Sequence, residues 1–503
     1  MFTEPLDDVL SFLITIGSPA LAAYSLQITH LNAHWIATGF LDVKYPNSKH
    51  IPTVLSAFHH IPIRISHHPP SLHSLIVLPR NDDFWRHLLA GAKKTRRWTV
   101  PMIMNFILVI FAAVLTALDT VYSPNAGDIG YAIAAVWTFL LPLIIGWLHV
   151  GCEPEPNHLR NSLDAANLKA WDATAAQGPQ PATSPLAIEF MEPDDVHLAR
   201  TDELKTVPVF NYSRAFVSPL TAELVLGLTK NAAANAKKKI PVGNPTGGIP
   251  VWVEVEGDPI PDENRNGTDT EVIEYCMRAL PKLESGSSPA IPLDVQSSEM
   301  FSTPNPLLPL HDPRLIGQNP SRWATGIWKR VLLATALALG LQWGTTGAAV
   351  VIHYVTPPAG LGCRALSYLL YGAAGTTSFF LFLASSILAH MSRPHQGQGY
   401  TPLWLLTCQE TGAIICRRLG KCIAVLSAMG ILLVCFLQVT DAFNDCFCAS
   451  TTFDKGRDSV VFQTINYVVG SRIPRIWGGA LVMAFSTALL FGSSIYLAKP
   501  PRR

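Results

Sequence analysis

Six histidines fall within one short polar connector: His50, His59, His60, His67, His68 and His73. Imidazole is a common ligand for zinc and copper, and the two adjacent pairs would converge if the intervening IPIRIS turned back on itself. No Cys or carboxylate nearby completes a recognisable ligand spacing, and Pro62, Pro69 and Pro70 favour an extended path. The pattern reads instead as a polar membrane-surface segment with Ile61, Ile63 and Ile65 as an alternating apolar strip. No metal or cofactor is expected.

Nine cysteines offer redox chemistry. On the topology derived below, Cys363 lies in one outer loop and Cys446 and Cys448 in another, on the oxidising side of a membrane. A disulfide from Cys363 to Cys446 or to Cys448 is the candidate pairing; the alternative leaves one or all of them free. Cys408, Cys416, Cys422 and Cys435 lack zinc spacing and read as packing residues. Polar residues in apolar surroundings are few. Asp119 reads as a helix-end residue, and Asn105, Gln342 and His353 are the other polar positions. His149, His353 and His390 all sit at segment ends, which argues against haem held between helices. Two sequons, at Asn211 and Asn266, fall in a loop predicted to be cytoplasmic, so neither is expected to carry glycan. No nucleophile elbow, P-loop, HExxH or kinase signature occurs, and the chain is read as non-enzymatic.

These residues are carried by seven apolar stretches of about twenty residues, roughly 9 to 28, 99 to 121, 129 to 150, 331 to 354, 365 to 389, 421 to 440 and 476 to 497. Each is long enough to cross about 30 Å of hydrocarbon as a helix. The chain is 49% hydrophobic and only 15% charged, which points to lipid as solvent. A net charge of +1 argues against a nucleic-acid partner. The fold expected is therefore an all-α membrane protein of about seven transmembrane helices. Residues 1–150 supply three helices and the histidine-rich connector, 151–330 a long polar loop, and 331–503 four helices. Within the fourth segment, Gly340 and Gly344 form a GxxxG with Gly347 following, a small-residue seam expected to pack closely against a neighbour.

Basic residues set the orientation. Lys93, Lys94, Arg96 and Arg97 precede the second segment, Arg322, Lys329 and Arg330 the fourth, and Arg393, Arg417, Arg418 and Lys421 the sixth; Lys499, Arg502 and Arg503 follow the seventh. All are cytoplasmic if the first end of the chain is outside and the last inside. Lys455, Arg457, Arg472 and Arg475 in the outer loop 441–475 dissent. The acidic opening MFTEPLDDVL is no cleavable signal, so the first segment is expected to stay as a signal anchor, with Gly17 and Pro19 tolerated inside it.

The loop 151–330 is rich in helix breakers and is expected to order only in part, docking under the bundle with flexible stretches around 176–200 and 283–320. Leu159, Leu163, Ala166 and Ala170 predict a juxtamembrane amphipathic helix over 158–175. Ser218 and Pro219 predict a helix start, running towards Lys237, Lys238 and Lys239. VWVEVE at 251–256 alternates like a short strand.

Several stretches together, IGSPALAAYSLQIT (16–29), VLPRNDDFW (77–85), LQWGTTGAA (341–349), GLGCRALSYLLYG (360–372), RRLGK (417–421) and CFC (446–448), resemble a family of fungal multi-pass membrane proteins of unassigned function. The resemblance implies a polytopic architecture and carries no catalytic residue over; the location expected for the chain is the plasma membrane or another secretory-pathway membrane. A transporter-like or channel-like bundle is the favoured function. The alternative is a non-catalytic sensor or membrane scaffold that meets protein partners through the 151–330 loop. A water-filled cavity lined by Asn105, Gln342 or Thr345 would favour transport; a closed bundle would favour the alternative.

Overall fold

The computed structural model describes residues 5–61, 63–65, 72–92, 100–122, 128–150, 156–173, 180–181, 188–191, 197–243, 251–255, 260–277, 321–356, 360–393, 402–440, 442–444, 448, 453 and 473–497. Among them, five helices are long and apolar enough to cross a membrane. In chain order the helices of this half-buried bundle are α1 (Pro5–Gly17), α2 (Pro19–Gly39), α6 (Val100–Tyr122), α7 (Asp128–Trp137), α8 (Leu140–Val150), α12 (Ile327–Val355), α13 (Cys363–Met391), α14 (Leu403–Val439) and α15 (Ile473–Leu497). The five candidate crossings are α7 with α8 taken as one, α12, α13, α14 and α15. Their outward faces are apolar. On α14, Leu426, Met429, Leu433 and Phe436 are exposed at helical spacing, and α15 repeats this with Val482, Phe485 and Leu489. Such stripes would be a liability in water, whereas in hydrocarbon they meet their own kind. The described part of α6 carries a similar face at Ile103, Ile107 and Ile110.

The first apolar segment departs from expectation. Instead of one straight span over 9–28, α1 and α2 meet at Ser18 with a bend of 103°. Pro19 lacks an N–H and sits at the first turn of α2, where that loss costs nothing. The groups freed by the break are taken up by neighbours. Ser18 Oγ donates to the Gly375 carbonyl at 2.8 Å, the Ala20 N–H to Gln342 Oε1 at 3.0 Å, and Tyr371 OH to the Ile16 carbonyl at 2.6 Å. Gly17 is required here by close approach, because a Cβ would lie 1.7 Å from the Ala424 carbonyl oxygen of α14.

Below the bundle, segments far apart in sequence build a second core. It joins α3 (Ile51–Ala57), α4 (Leu72–Val77), α5 (Asp82–Gly91), α9 (Pro156–Asn167), α10 (Val217–Lys237) and α11 (Asp269–Met277), and the far half of α2 enters it through Ile36 and Phe40. The helix expected over 158–175 ends at Asn167 and buries Leu159, Leu163 and Ala166 in this core, not on a membrane. The helix expected from Ser218 and Pro219 is α10. Two short antiparallel pairs complete the unit. β1 (Ile63–Ile65), from the histidine connector, pairs with β4 (Ile188–Phe190) of the long loop, and β2 (Trp171–Asp172) pairs with β3 (Gln180–Pro181). Residues 251–255 form no strand; the side-chain amide of Asn264 takes both the N–H and the carbonyl of Val253, as a partner strand would. Arg265, fully buried, donates to both carboxylate oxygens of Asp82 and to the Val77 carbonyl. The long loop is thus half of a packed unit, although 283–320 and most of 176–196 lie outside the described residues.

Candidate functional site at the junction of bundle and extramembrane unit

The segment 197–216 runs as two short turns, Leu198–Leu204 and Pro208–Arg214, wedged between the bundle and the second core. Its centre is Arg214. Nε donates to the His59 carbonyl at 2.8 Å; Nη1 to the carbonyls of Glu203 and Lys205 at 2.6 and 2.8 Å; Nη2 to the His60 carbonyl at 3.1 Å and to Asn211 Oδ1 at 2.8 Å. All five guanidinium donors are used. Arg214 therefore stitches the histidine connector to the long loop. Asn211, completely buried, donates to Thr29 Oγ1 of α2 and faces His60 Nδ1 at 3.1 Å. His59 contacts Thr29 and Asn32 of α2, and Asn32 Oδ1 in turn accepts from Arg330 of α12 at 2.9 Å.

A second layer is ionic. Glu203 and Asp202 are both buried, yet each has a cationic partner: Arg393 reaches both oxygens of Glu203 at 2.6 and 2.7 Å, and Lys421 reaches Asp202 at 2.6 Å. Tyr212 OH donates to the other Asp202 oxygen at 2.6 Å. Burial, and then the Asp202 carboxylate, push the Tyr212 hydroxyl well above its ordinary range, so it stays a donor. Arg417 holds the carbonyls of Leu198 and Ala199, and Lys205 pairs with Asp7 of α1. Paired and hydrogen-bonded, these charges meet the condition under which burial is tolerated. Arg393, Arg417 and Lys421, which the sequence offers only as orientation signals, are the seat of the long loop. A cavity of about 30 Å³ lies beside them, lined by Leu55, Phe58, Ile61, Glu203, Arg214 and Thr221 among others. That is room for one or two waters and no larger ligand.

No family model, curated protein or solved structure matches the chain. Geometry alone must carry the reading.

The predicted residues fall as follows. His59, His60 and His73 are buried while His50 starts α3; His67 and His68 lie outside the described residues. Gln342 and Thr345 are buried and committed: Gln342 Nε2 donates to the Gly372 carbonyl and Thr376 Oγ1, and Thr345 donates to the Leu341 carbonyl. Asn105 lines a second cavity of about 30 Å³ with Ser11 and Trp147, and its Oδ1 has no partner among the described residues. His353 stacks on Tyr368 and faces Gln438 Nε2 at 3.3 Å. His390 packs against Trp323 and Phe216, and His149 against Tyr496. The Asp119 side chain is outside the described residues. Cys363 is joined to Cys448 with Cα atoms 5.5 Å apart; Cys446 lies outside the described residues. The glycine seam needs correction. Only Gly344 meets a neighbour, Thr487 of α15, whereas a Cβ on Gly340 or Gly347 would enter open space, because both turn away from the packed face of α12. Of the sequons, Asn211 has no surface to offer a glycan.

Burial, then the neighbouring His60 and Arg214, hold the His59 imidazole well below its ordinary pKa, so it is neutral in the fold. A lowered histidine pKa means the unfolded chain binds the proton more readily, so stability falls as pH drops below about 6.5. Thermal unfolding of the full chain in detergent should therefore weaken between pH 7 and pH 5, by up to about 1.4 kcal/mol per pH unit from this group. His59→Gln should flatten that dependence, and an unchanged slope would remove His59 from the account.

Proposed function

We propose that the chain is a non-catalytic membrane scaffold whose bundle and extramembrane unit act as one body, presenting the 151–330 region to protein partners from the cytoplasmic face. The carrying observation is the double seat of 197–216: a fully used Arg214 and the buried pairs Asp202–Lys421 and Glu203–Arg393. A domain meant to move freely has no use for such ties. The two ends of α13 support the orientation, since Cys363 at its start is in a disulfide and Arg393 just past its end is in the ionic seat. Disulfides persist in oxidising compartments and basic belts mark the cytoplasmic side. Placement in the plasma membrane or another secretory-pathway membrane, and kinship with the fungal multi-pass family, belong to the same proposal.

Charge reversal tests the seat. Glu203→Arg and Arg393→Glu should each free the segment 197–216 to protease in the full chain and lower the melting temperature, because each leaves like charges facing in a buried site. The double reversal should restore most of the loss. Wild-type cleavage in both single variants would overturn the proposal.

A transporter reading is favoured by one feature, the break between α1 and α2 beside the middle of α12 and α13, since interrupted helices hold ligands in many transporters. Here Gln342, Ser18 and Tyr371 already occupy the groups that such a ligand would take.

A further inference from the structure

We infer that α14 is the interface of a parallel homodimer, through one face that runs unbroken from the membrane into water. Length decides how much of α14 the bilayer can hold. The helix has 37 residues, about 55 Å, against roughly 30 Å of hydrocarbon. At its far end Gln438 accepts from Tyr368 OH, near the disulfide at the start of α13, so the excess lies at the Leu403 end. The two helices run antiparallel in step: Ser378 Oγ donates to the Gly420 carbonyl at 2.9 Å and Ser385 Oγ to the Ala413 carbonyl at 2.7 Å. About twenty residues of α13 from Cys363, enough to cross, end at Phe382, whose ring meets Gly420. Arg417, Arg418 and Lys421 therefore mark the boundary on α14, and 403–416 projects beyond it by about 20 Å.

This projection is covered on one side only. Segment 197–216 takes the side of Ala413 and Arg417, with His197 beside Glu410 at 3.4 Å. The opposite side is bare among the described residues, and it is apolar: Leu403 is 76% exposed, Trp404 67% and Ile415 52%. The same face continues through the bilayer as Leu426, Leu433 and Phe436. From Trp404 to Phe436 exposed positions recur every three or four residues, Cys408 and Cys422 among them, and no member of that series is charged; Arg418, exposed at the boundary, stands at its flank. Lipid covers such a seam only within the bilayer, and a soluble partner only beyond it. A second copy, related by a two-fold axis along the membrane normal, brings an apolar seam of the same length that crosses the boundary at the same depth. Steps of three and four are those at which parallel helices interlock, with one four-four step around Ile415 that locally unwinds the pair. A strip about 50 Å long and one helix wide, about 10 Å, buries ~500 Å² on each copy, which reaches the ~1,000 Å² of a specific interface.

Cross-linking of the full chain in native membranes tests the pairing. Two variants each keep the Cys363–Cys448 pair and one further thiol, Cys408 or Cys422. Oxidation with copper phenanthroline should join two chains in both, because a parallel pair sets each of these thiols beside its counterpart, within disulfide reach. Leu489→Cys on α15, also exposed but off the seam, should give at least fivefold less dimer when it is the one further thiol. Trp404→Glu should cut the Cys408 link at least fivefold, since it sets like charges into the seam. Trp404 is exposed in a single copy, so the substitution leaves the fold of each chain intact. Absence of either link, an equal yield from Leu489→Cys, or an undiminished link in Trp404→Glu would overturn the dimer.

Discussion

Arg214→Ala is expected to cost about 3 kcal/mol or more, since a buried acceptor left without its donor costs about 1–3 kcal/mol. The loss is large because five acceptors are stranded together: the carbonyls of His59, His60, Glu203 and Lys205, and Asn211 Oδ1. Against a typical total stability of about 5–15 kcal/mol, that is enough to separate the extramembrane unit from the bundle. Arg214→Lys should recover little. A lysine presents three donors from one nitrogen and cannot reach carbonyls spread around a planar fork. As a control, Arg86→Ala breaks only the exposed pair with Asp83 and should stay within about 0.5 kcal/mol of wild type. Thermal unfolding in detergent checks all three. Wild-type stability of Arg214→Lys would mean that charge, and not the fork, holds the junction.

Gly17→Ala has the next largest expected effect. The added methyl would press on backbone, the Ala424 carbonyl, which cannot swing aside as a side chain can. Either α1 leaves α14 or the break at Ser18 reorganises, and both disturb the bonds from Ser18, Gln342 and Tyr371. Overpacking of this kind costs about 1–3 kcal/mol and occasionally more. Gly340→Ala and Gly347→Ala meet nothing within 4 Å and should be neutral or slightly stabilising, since alanine is the better helix former. The contrast is read by melting temperature and yield in the same detergent. Greater damage from Gly340→Ala than from Gly17→Ala would restore the GxxxG seam to importance.

The contrast between those glycines also marks what was legible in the sequence. A GxxxG pattern identifies small residues but not which way they face, and on α12 only Gly344 meets the partner helix. Hydropathy finds apolar length, which is why the segments from 129 onward correspond to helices long and apolar enough to cross a membrane. It cannot see direction, so 9–28 reads as a span although Gly17, Ser18 and Pro19 turn the chain sharply there. α10 was legible because its start and its basic end are local signals. The second core was not, because it is assembled from residues as distant as Phe40, Trp85, Leu163 and Val272, each unremarkable in its own stretch. Arg393, Arg417 and Lys421 carried orientation in the sequence and acquire partners only when Asp202, Glu203 and the carbonyls of 198–199 are folded beneath them. The one local hint of that seat was the acidic pair Asp202 and Glu203 ahead of the arginine in an otherwise apolar VPVFNYSRAFV.

The most direct test of a closed bundle bolted to its extramembrane unit is solvent access at its centre. Thr345→Cys, in a background that keeps only the Cys363–Cys448 pair and replaces the other seven cysteines, is treated in native membranes with an impermeant maleimide from each face in turn. Thr345 is fully buried and its hydroxyl is bonded within α12, so no labelling from either face is predicted, with full labelling after denaturation. Labelling of the native protein from either face would reveal a water-filled path and contradict the scaffold account in favour of transport.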